Sequence, residues 1–512
     1  MSQTSKKIIS LILMLAATAA VSFHVTSAND TTGPSSSASP YVIPAAPGVF
    51  TKSILTVGDS VNTKPDGVTP YRLVGIPDGL GAFDNDDSDD EDDRGNGRGR
   101  GGRDNDDDDD TNNKNKGTFT LLMNHELRAG VGAVRAHGAN GAFVSKWIIR
   151  KKDLSVVRGD DLIQQVATWN TGTKAFNLPA KGVVLSRLCS ADLPLKSAFY
   201  NEETALGYHG RLLMNGEESG AEGRAFAHAL DGTSYELPRL GKFSWENSVA
   251  NPQTGNKTVV VGTDDGGGGQ VYIYVGDKTG AGSPVEQAGL TNGNLYGLKV
   301  QGVTAENPAS GIASGTSFTL HNFGNVENKS GAELETLSTQ NAVTTFQRPE
   351  DGAWDPRYPN DFYFVTTASF TTNSRLWRLR FNDRRNPAAG GRIDMLLDGT
   401  EGHKMLDNLT VTRRGQIVLQ EDPGAQDHIA KIWRYSIKDD TLNLIAQHDP
   451  ARFTPGAPNF LTRDEESSGV IDMSDILGEG WFLLDVQAHY FTDPELVEGG
   501  QLLALRYPPG KK

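Results

Sequence analysis

The sequence predicts an all-β chain, arranged as a six-bladed β-propeller with irregular insertions, and three observations carry that expectation. Short runs rich in Val, Ile, Leu, Tyr and Phe alternate with Gly, Asn and Asp turns, the pattern of strands of roughly four to eight residues rather than of helices. Glycine is abundant at 58 of 512 residues while cysteine occurs once, which suits many tight turns and argues against a disulfide-stapled module. One unit also recurs along the chain: an acid, a small turn residue, an apolar strand, a turn, and a second strand ending in polar residues.

The unit can be placed six times. The first copy starts PDGLGAF at Pro77 and, after an acidic insertion, resumes as GTFTLLMNHE, ending at Glu126. The second is EETALGYHGRLLMNGEE, Glu202 to Glu218, and the third WENSVANPQTGNKTVVVGTDD, Trp245 to Asp265, with a further strand QVYIYVG. The fourth, PEDGAWDPRYPNDFYFVTT, leads into SRLWRLRF; the fifth, LDNLTVTRRGQIVLQED from Leu406 to Asp422, leads into KIWRYSI. ESSGVIDMSDILGEGWFLLDVQAH, Glu466 to His489, is the last. Radial repetition of small antiparallel sheets removes long exposed edges, and about four to eight blades is the usual range. A pair of stacked β-sandwiches would also supply many short strands, but it gives no reason for acids to recur at the same place in each unit.

Outside the repeats, MSQTSKKIISLILMLAATAAVSFHVTSAND has the basic start, apolar run and small residues of a secretory signal peptide, assigned to residues 1–28 and, without a twin arginine, to the general export route. Residues 29–70 lead into the fold and 71–508 form a single propeller domain. No later apolar run approaches the roughly 18 residues of a membrane span, so a periplasmic or extracellular protein without stable membrane association is expected. The formal net charge is −15, of which −10 comes from Asp84 to Asp110 alone, with 14 acids and four arginines. That segment reads as part of a disordered, solvated insertion over 84–116. The remainder is only mildly acidic and lacks clustered Lys and Arg, which excludes a nucleic-acid partner.

In a propeller the inner strands run along the axis, so equivalent strand ends of all blades converge. The candidates for such a cluster are Glu126, Glu217, Glu218, Glu246, Asp264, Asp265, Glu350, Asp407, Glu421, Asp422 and Glu466. That many ionised carboxylates need cations, and an all-oxygen set suits several calcium ions. A nearby thiolate or histidine, Cys189 or His125, would favour a transition metal in addition. Taken singly, each acid also fits a solvated turn, Cys189 a buried small apolar residue, and His125 a satisfied core histidine. In FQRPEDGAWDP, Pro349 stiffens the strand entry between Arg348 and Glu350, so that one rigid element presents both side chains. G-x-S-x-G, G-x-x-x-x-G-K-[ST] and H-E-x-x-H are absent, and TDDGGGGQ reads as a hairpin turn.

NHE at Asn124–Glu126, GEE at Gly216–Glu218, LGKFSWEN at Leu240–Asn247, VVVGTDD followed by QVYIYV, and FQRPEDGAWDP resemble, in this order, the motifs of the PhoX-like alkaline phosphatases, exported bacterial propellers. The likeness runs from about Tyr71 to Tyr490 and marks a divergent branch. The resemblance implies a phosphomonoesterase whose channel holds two irons and several calcium ions. It also implies that Cys189 is an iron ligand, that Glu126, Glu218, Glu246, Asp264, Asp265 and Glu350 are metal ligands, and that Arg348 contacts substrate phosphate. Around the cysteine the chain departs from the family: its LCSADLPLKSAFYNEETALG lacks the usual Asn-Cys and Thr-Pro-Trp-Gly-Thr. A catalytic pair of Arg348 and Glu350, a small phosphoester substrate and a monomeric state complete the expectation. A calcium-dependent esterase, lactonase or phosphotriesterase propeller, and a non-catalytic calcium-stabilised binding propeller, are the competing readings; the place of Cys189 discriminates between them.

Overall fold

The computed structural model describes residues 31–86 and 115–508, so the signal-peptide reading and nearly all of the acidic insertion lie outside the described residues. Six antiparallel blades succeed one another along the chain. Blade 1 comprises Pro77–Asp84, Thr118–His125, Phe143–Arg150 and Val156–Asp161. Blade 2 comprises Leu212–Gly216, Ala225–Ala229 and Thr233–Glu236, with Gln165–Ala167 added in parallel at its outer edge. Blade 3 runs Trp245–Ala250, Lys257–Asp264, Gly267–Asp277 and Asn294–Val300; blade 4 runs Pro349–Trp354, Asp361–Thr366, Arg375–Phe381 and Gly391–Leu397. The strand Thr316–Gly324 pairs with the outer strands of both, joining them into one continuous sheet. Blade 5 is Leu406–Val411, Gln416–Glu421, Lys431–Ser436 and Thr441–His448, and blade 6 is Glu465–Asp472, Trp481–Phe491 and Glu498–Arg506.

The N-terminal segment closes the ring. Phe50–Thr56 pairs with Glu498–Arg506 as the outer strand of blade 6, and Val42–Pro44 extends blade 5. Residues 29–70, expected only to lead into the fold, thus contribute strands to its last two blades.

Period-two alternation explains why the blades pack into a ring. In Thr118–His125, Leu122 faces blade 2 while Leu121 and Met123 face blade 6; in Trp481–Phe491, Leu484 faces blade 5 and Leu483 faces blade 1. Six apolar cores result, one per blade–blade interface. The largest holds Trp245, Phe243 and Tyr272, the first two rings stacked 3.9 Å apart between blades 2 and 3.

Five of the six sequence repeats begin at the inner strand of a blade. The second does not. Glu202 belongs to a short exposed hairpin, and the innermost position of blade 2 is taken by an earlier segment, Leu188 to Asp192, bridged to Leu212–Gly216 through Leu188↔Glu217 and Asp192↔Met214. This segment carries a cysteine, Cys189, where the other inner strands carry an acid, so the pattern does not display it.

Two core histidines give the fold a measurable acid sensitivity. His228 is held between Ser234 Oγ (2.6 Å) and Asn215 Oδ1 (2.8 Å), and His448 has no partner on either ring nitrogen among the described residues and lies against Phe453. Burial pushes both down to about 3. A folded pKa below the unfolded 6.5 means that the unfolded chain binds the extra proton, so each histidine's contribution is intact above 6.5 and fades as pH falls toward 3. The slope is at most about 1.4 kcal/mol per pH unit for each. Buried carboxyls act in the opposite sense, so the readout is a difference: His448→Leu is expected to lose less stability than the parent between neutral pH and about pH 4, followed by thermal unfolding.

Candidate metal and anion site

Each inner strand places its second residue at the axis. Those residues are Asp78, Glu246, Glu350, Asp407 and Glu466 in blades 1, 3, 4, 5 and 6, and Cys189 in the inner segment of blade 2. In blades 1 to 5 a register shift follows this residue: Pro77/Leu80, Leu188/Asp192, Trp245/Ser248, Pro349/Gly352 and Leu406/Leu409. Such bulges twist the strand and re-aim a side chain. Gly79 makes the approach of blade 2 possible, because a Cβ there would lie 2.2 Å from Ala191 N and 2.5 Å from Ser190 C.

The second strands add another tier. The residues just beyond the register partners of the inner-strand starts are Glu126, Glu218, Asp265, Thr367, Asp422 and His489. Each donates its backbone N–H to the carbonyl two residues before the axial residue: Ile76, Arg187, Ser244, Arg348, Met405 and Asp464, at 2.8–3.0 Å. The chain thus repeats one local geometry in every blade.

Alternation then separates the predicted acids. Glu126, Cys189, Glu218, Glu246, Glu350, Asp407, Asp422 and Glu466 come together, joined by Asp78. Four groups, Asp78–Glu126–Cys189, Cys189–Glu218–Glu246, Glu246–Glu350–Asp407 and Asp407–Asp422–Glu466, each keep their ligand atoms within 4.8 Å, and each shares a residue with the next. Asp265 faces the same site and grips Arg348 through Nε (2.7 Å) and Nη2 (2.9 Å).

Glu217, Asp264 and Glu421 are not part of the cluster, because they precede the inward-facing residue by one and turn into the blade. Glu217 accepts Arg224 Nε and Nη2, both at 2.7 Å, and the Ser186 N–H. Asp264 accepts the Ser244 N–H at 3.2 Å. Glu421 accepts Trp433 Nε1 and the Lys404 N–H, both at 2.8 Å, and meets His428 Nε2. His125, of the same parity, stacks on Phe143 and bonds Ser145. Sequence reasoning missed Asp78 and Arg187; Pro77-Asp78 repeats the form of Pro349-Glu350 and Leu406-Asp407, and Arg187-Leu188-Cys189 that of Arg348-Pro349-Glu350, which are the signals that find them.

The electrostatics are those of uncompensated negative charge. Asp78, Glu126, Glu218, Glu246, Asp265, Glu350, Asp407, Asp422 and Glu466 face Arg187, Arg348 and His489 as the cations paired with them among the described residues. Burial, with mutual repulsion, pushes Glu218 up to about 10 and Glu246 up to about 8, and holds Asp78, Glu350 and Asp407 well above the carboxylate range. The Cys189 thiol is raised by burial and by Asp78, to whose Oδ2 it donates at 3.3 Å. Hydrogen bonds to Glu466 and Glu498 overcome burial and raise His489 to about 11. Carboxylate oxygens and one thiol, raised this way for want of positive charge, fit bound hard cations, with a softer ion at Cys189.

One side of this cluster is closed. Asn408 Nδ2 of blade 5 donates to Ser190 Oγ of blade 2 at 2.6 Å, and Ser190 Oγ donates to Glu246 Oε1 at 2.6 Å. Asn247 Nδ2 donates to Asp351 Oδ1 at 2.6 Å beside them. This polar layer spans the axis between opposite blades, so the carboxylates form the floor of a blind site. A cavity of ≈ 290 Å³ lined by Asn247, Asp351, Asp192 and Trp354 lies at the other end of the inner strands.

The family model for alkaline phosphatase PhoX matches residues 227–438. No curated protein sequence matches the chain. Among solved structures the chain is similar to Pseudomonas fluorescens PhoX in complex with vanadate, a transition state analogue: 12% identity and TM-score 0.61 over 91% of this chain and 97% of that one. Putative 6-phosphogluconolactonases from Bacteroides fragilis and Bacteroides uniformis give 9% identity each, with TM-scores of 0.32 and 0.31, over 72% and 64% of this chain and 88% and 80% of theirs.

Gly79→Ala is expected to destabilise the fold by about 3 kcal/mol through forced separation of blades 1 and 2. Because that separation carries Cys189 away from Asp78, the purified variant is also expected to retain less metal than the parent, measured by elemental analysis beside thermal unfolding.

Proposed function

With the PhoX-like alkaline phosphatases as the chain's relatives in sequence over residues 227–438 and in fold over most of its length, we propose that it is an exported, metal-dependent phosphomonoesterase acting at the axial cluster. The observation that carries the proposal is the meeting of Cys189 with the carboxylates of every other blade, beneath Arg348. A propeller whose calcium served only an esterase or a binding surface would leave the thiol in a blade core; here it stands in the ring.

Asp78, Glu126, Cys189, Glu218, Glu246, Glu350, Asp407, Asp422 and Glu466 would hold the cations, several calcium ions and iron at the cysteine. Bound there, such ions supply Lewis-acid neutralisation of the phosphoryl charge and acidify a water. The chain's own residues do the rest. Asp265 fixes the Arg348 guanidinium by its Nε and Nη2 edge, and Glu350 Oε1 stands 3.1 Å from the same Nη2. The Nη1 side is then directed away from Asp265, free of that carboxylate, to bind phosphate oxygens and stabilise their charge in the transition state. Glu350 in turn orients the arginine. The Ser190–Asn408 layer bars water from behind, so the ester enters and leaves by the arginine side. A single small phosphoester and a monomeric enzyme are the simplest state that this site requires.

Elemental analysis of the mature protein is expected to give iron and calcium near stoichiometry, and chelation to abolish hydrolysis of a chromogenic phosphomonoester. Metal-free protein that still hydrolyses the ester would refute the reading. Arg348→Ala is expected to lower turnover about 100-fold or more with thermal stability little changed.

A further inference from the structure

The two residues that precede the axial positions of blades 2 and 4, Arg187 and Arg348, are structural twins. Each lies two residues before the axial side chain, each accepts the N–H of its second-strand residue (Glu218 N–H and Thr367 N–H), and each has left-handed backbone, with φ of 47° and 61°. Each guanidinium also spans two carboxylates. Arg187 Nη2 is 2.6 Å from Glu126 Oε1 and bonds Glu218, whereas Arg348 spans Asp265 and Glu350.

The turn itself does not call for arginine. Ile76 and Met405 hold the same left-handed position in blades 1 and 5, with φ of 50° and 40°. Arginine is therefore present in blades 2 and 4 for its head group. Both side chains are partly open to solvent, at 29% and 34% exposure, although their carboxylate partners are largely buried. Arg187 differs from its twin in one respect that points to a ligand: its Nε donor is buried and has no partner among the described residues. A buried donor left unmade costs about 1–3 kcal/mol, which an incoming oxyanion would recover.

We infer that Arg187 is a second phosphate-binding residue of this site, contacting the ester's phosphoryl oxygens from blade 2 while Arg348 contacts them from blade 4. The inference rests on the phosphatase reading. Blade 3 and its Glu246 stand between the two arginines, so the phosphoryl group is held over Glu246 by guanidiniums on either side. The donors left over, Nη1 on Arg348 and Nη1 with Nε on Arg187, meet the phosphoryl oxygens from two sides, which constrains their orientation in a way that a single arginine cannot.

Arg187→Lys separates this role from simple charge balance, since lysine keeps the positive charge facing Glu126 and Glu218 and loses the additional guanidinium donors. The metal-loaded variant is expected to keep its metal content and thermal stability. Its kcat/KM for p-nitrophenyl phosphate should fall about 10-fold or more, and inorganic phosphate should inhibit it, and bind it in calorimetry, more weakly by a similar factor. Parent-like kcat/KM and phosphate affinity in Arg187→Lys would overturn the inference and leave Arg187 a counter-ion. Loss of metal or of stability in step with activity would overturn it too, assigning the residue to the cluster's architecture. Failure of the phosphatase reading looks different: the metal-loaded parent itself would neither hydrolyse the ester nor bind phosphate, and the inference would fall with it.

Discussion

Among the described residues nine carboxyl groups, eight in the linked clusters and Asp265 beside them, crowd round one axis and cannot all ionise unless positive charge is brought among them. The rest of the molecule is organised by that constraint. Two arginines and one histidine reach in from the rim, and burial with mutual repulsion leaves Glu218, Glu246, Glu350 and Asp407 with raised proton affinities. A protein that gathers such a cluster and supplies so little compensation has ligand groups that could hold cations.

The gathering itself comes from repetition. Each blade starts its inner strand with one residue, aims the next at the axis, and, in five blades, shifts register directly afterwards. The six apolar interfaces hold the blades in a closed ring, so the aim of one residue per blade becomes a cluster with no contribution from sequence proximity. Closure by Phe50–Thr56 on the last blade removes the edge at which the ring could open. Dense packing of large side chains such as Trp147, Trp245 and Trp377 between blades makes that geometry stiff, as a site that must hold several charges apart by a few ångströms requires.

Polar layers divide the axis by function. The carboxylate tier faces the rim on which Arg187 and Arg348 lie, and the Ser190–Asn408 and Asn247–Asp351 bonds seal its underside. Amide and hydroxyl donors there are satisfied by Ser190 Oγ and by the carboxyls of Glu246 and Asp351. Access to the cluster is thereby one-sided, and the two left-handed arginines stand on the accessible side.

The sequence by itself determined the β character of the chain, the number of repeats, and the start of five inner strands, because strand period, turn chemistry and the acid that opens each unit are local properties. It also determined which residue types converge. Tertiary structure decided which member of each acidic pair faces the axis: Glu126, Glu218, Asp265 and Asp422 point inward, while His125, Glu217, Asp264 and Glu421 turn into their blades. With a side-chain period of two, adjacent residues of equal charge look alike in sequence, and only the pairing register tells them apart. Blade 2 shows the same limit. Its axial residue is a cysteine from a segment well before the strand that it pairs with, brought there by two isolated bridges and by the missing side chain of Gly79. A close approach between distant backbones leaves no local periodicity to read.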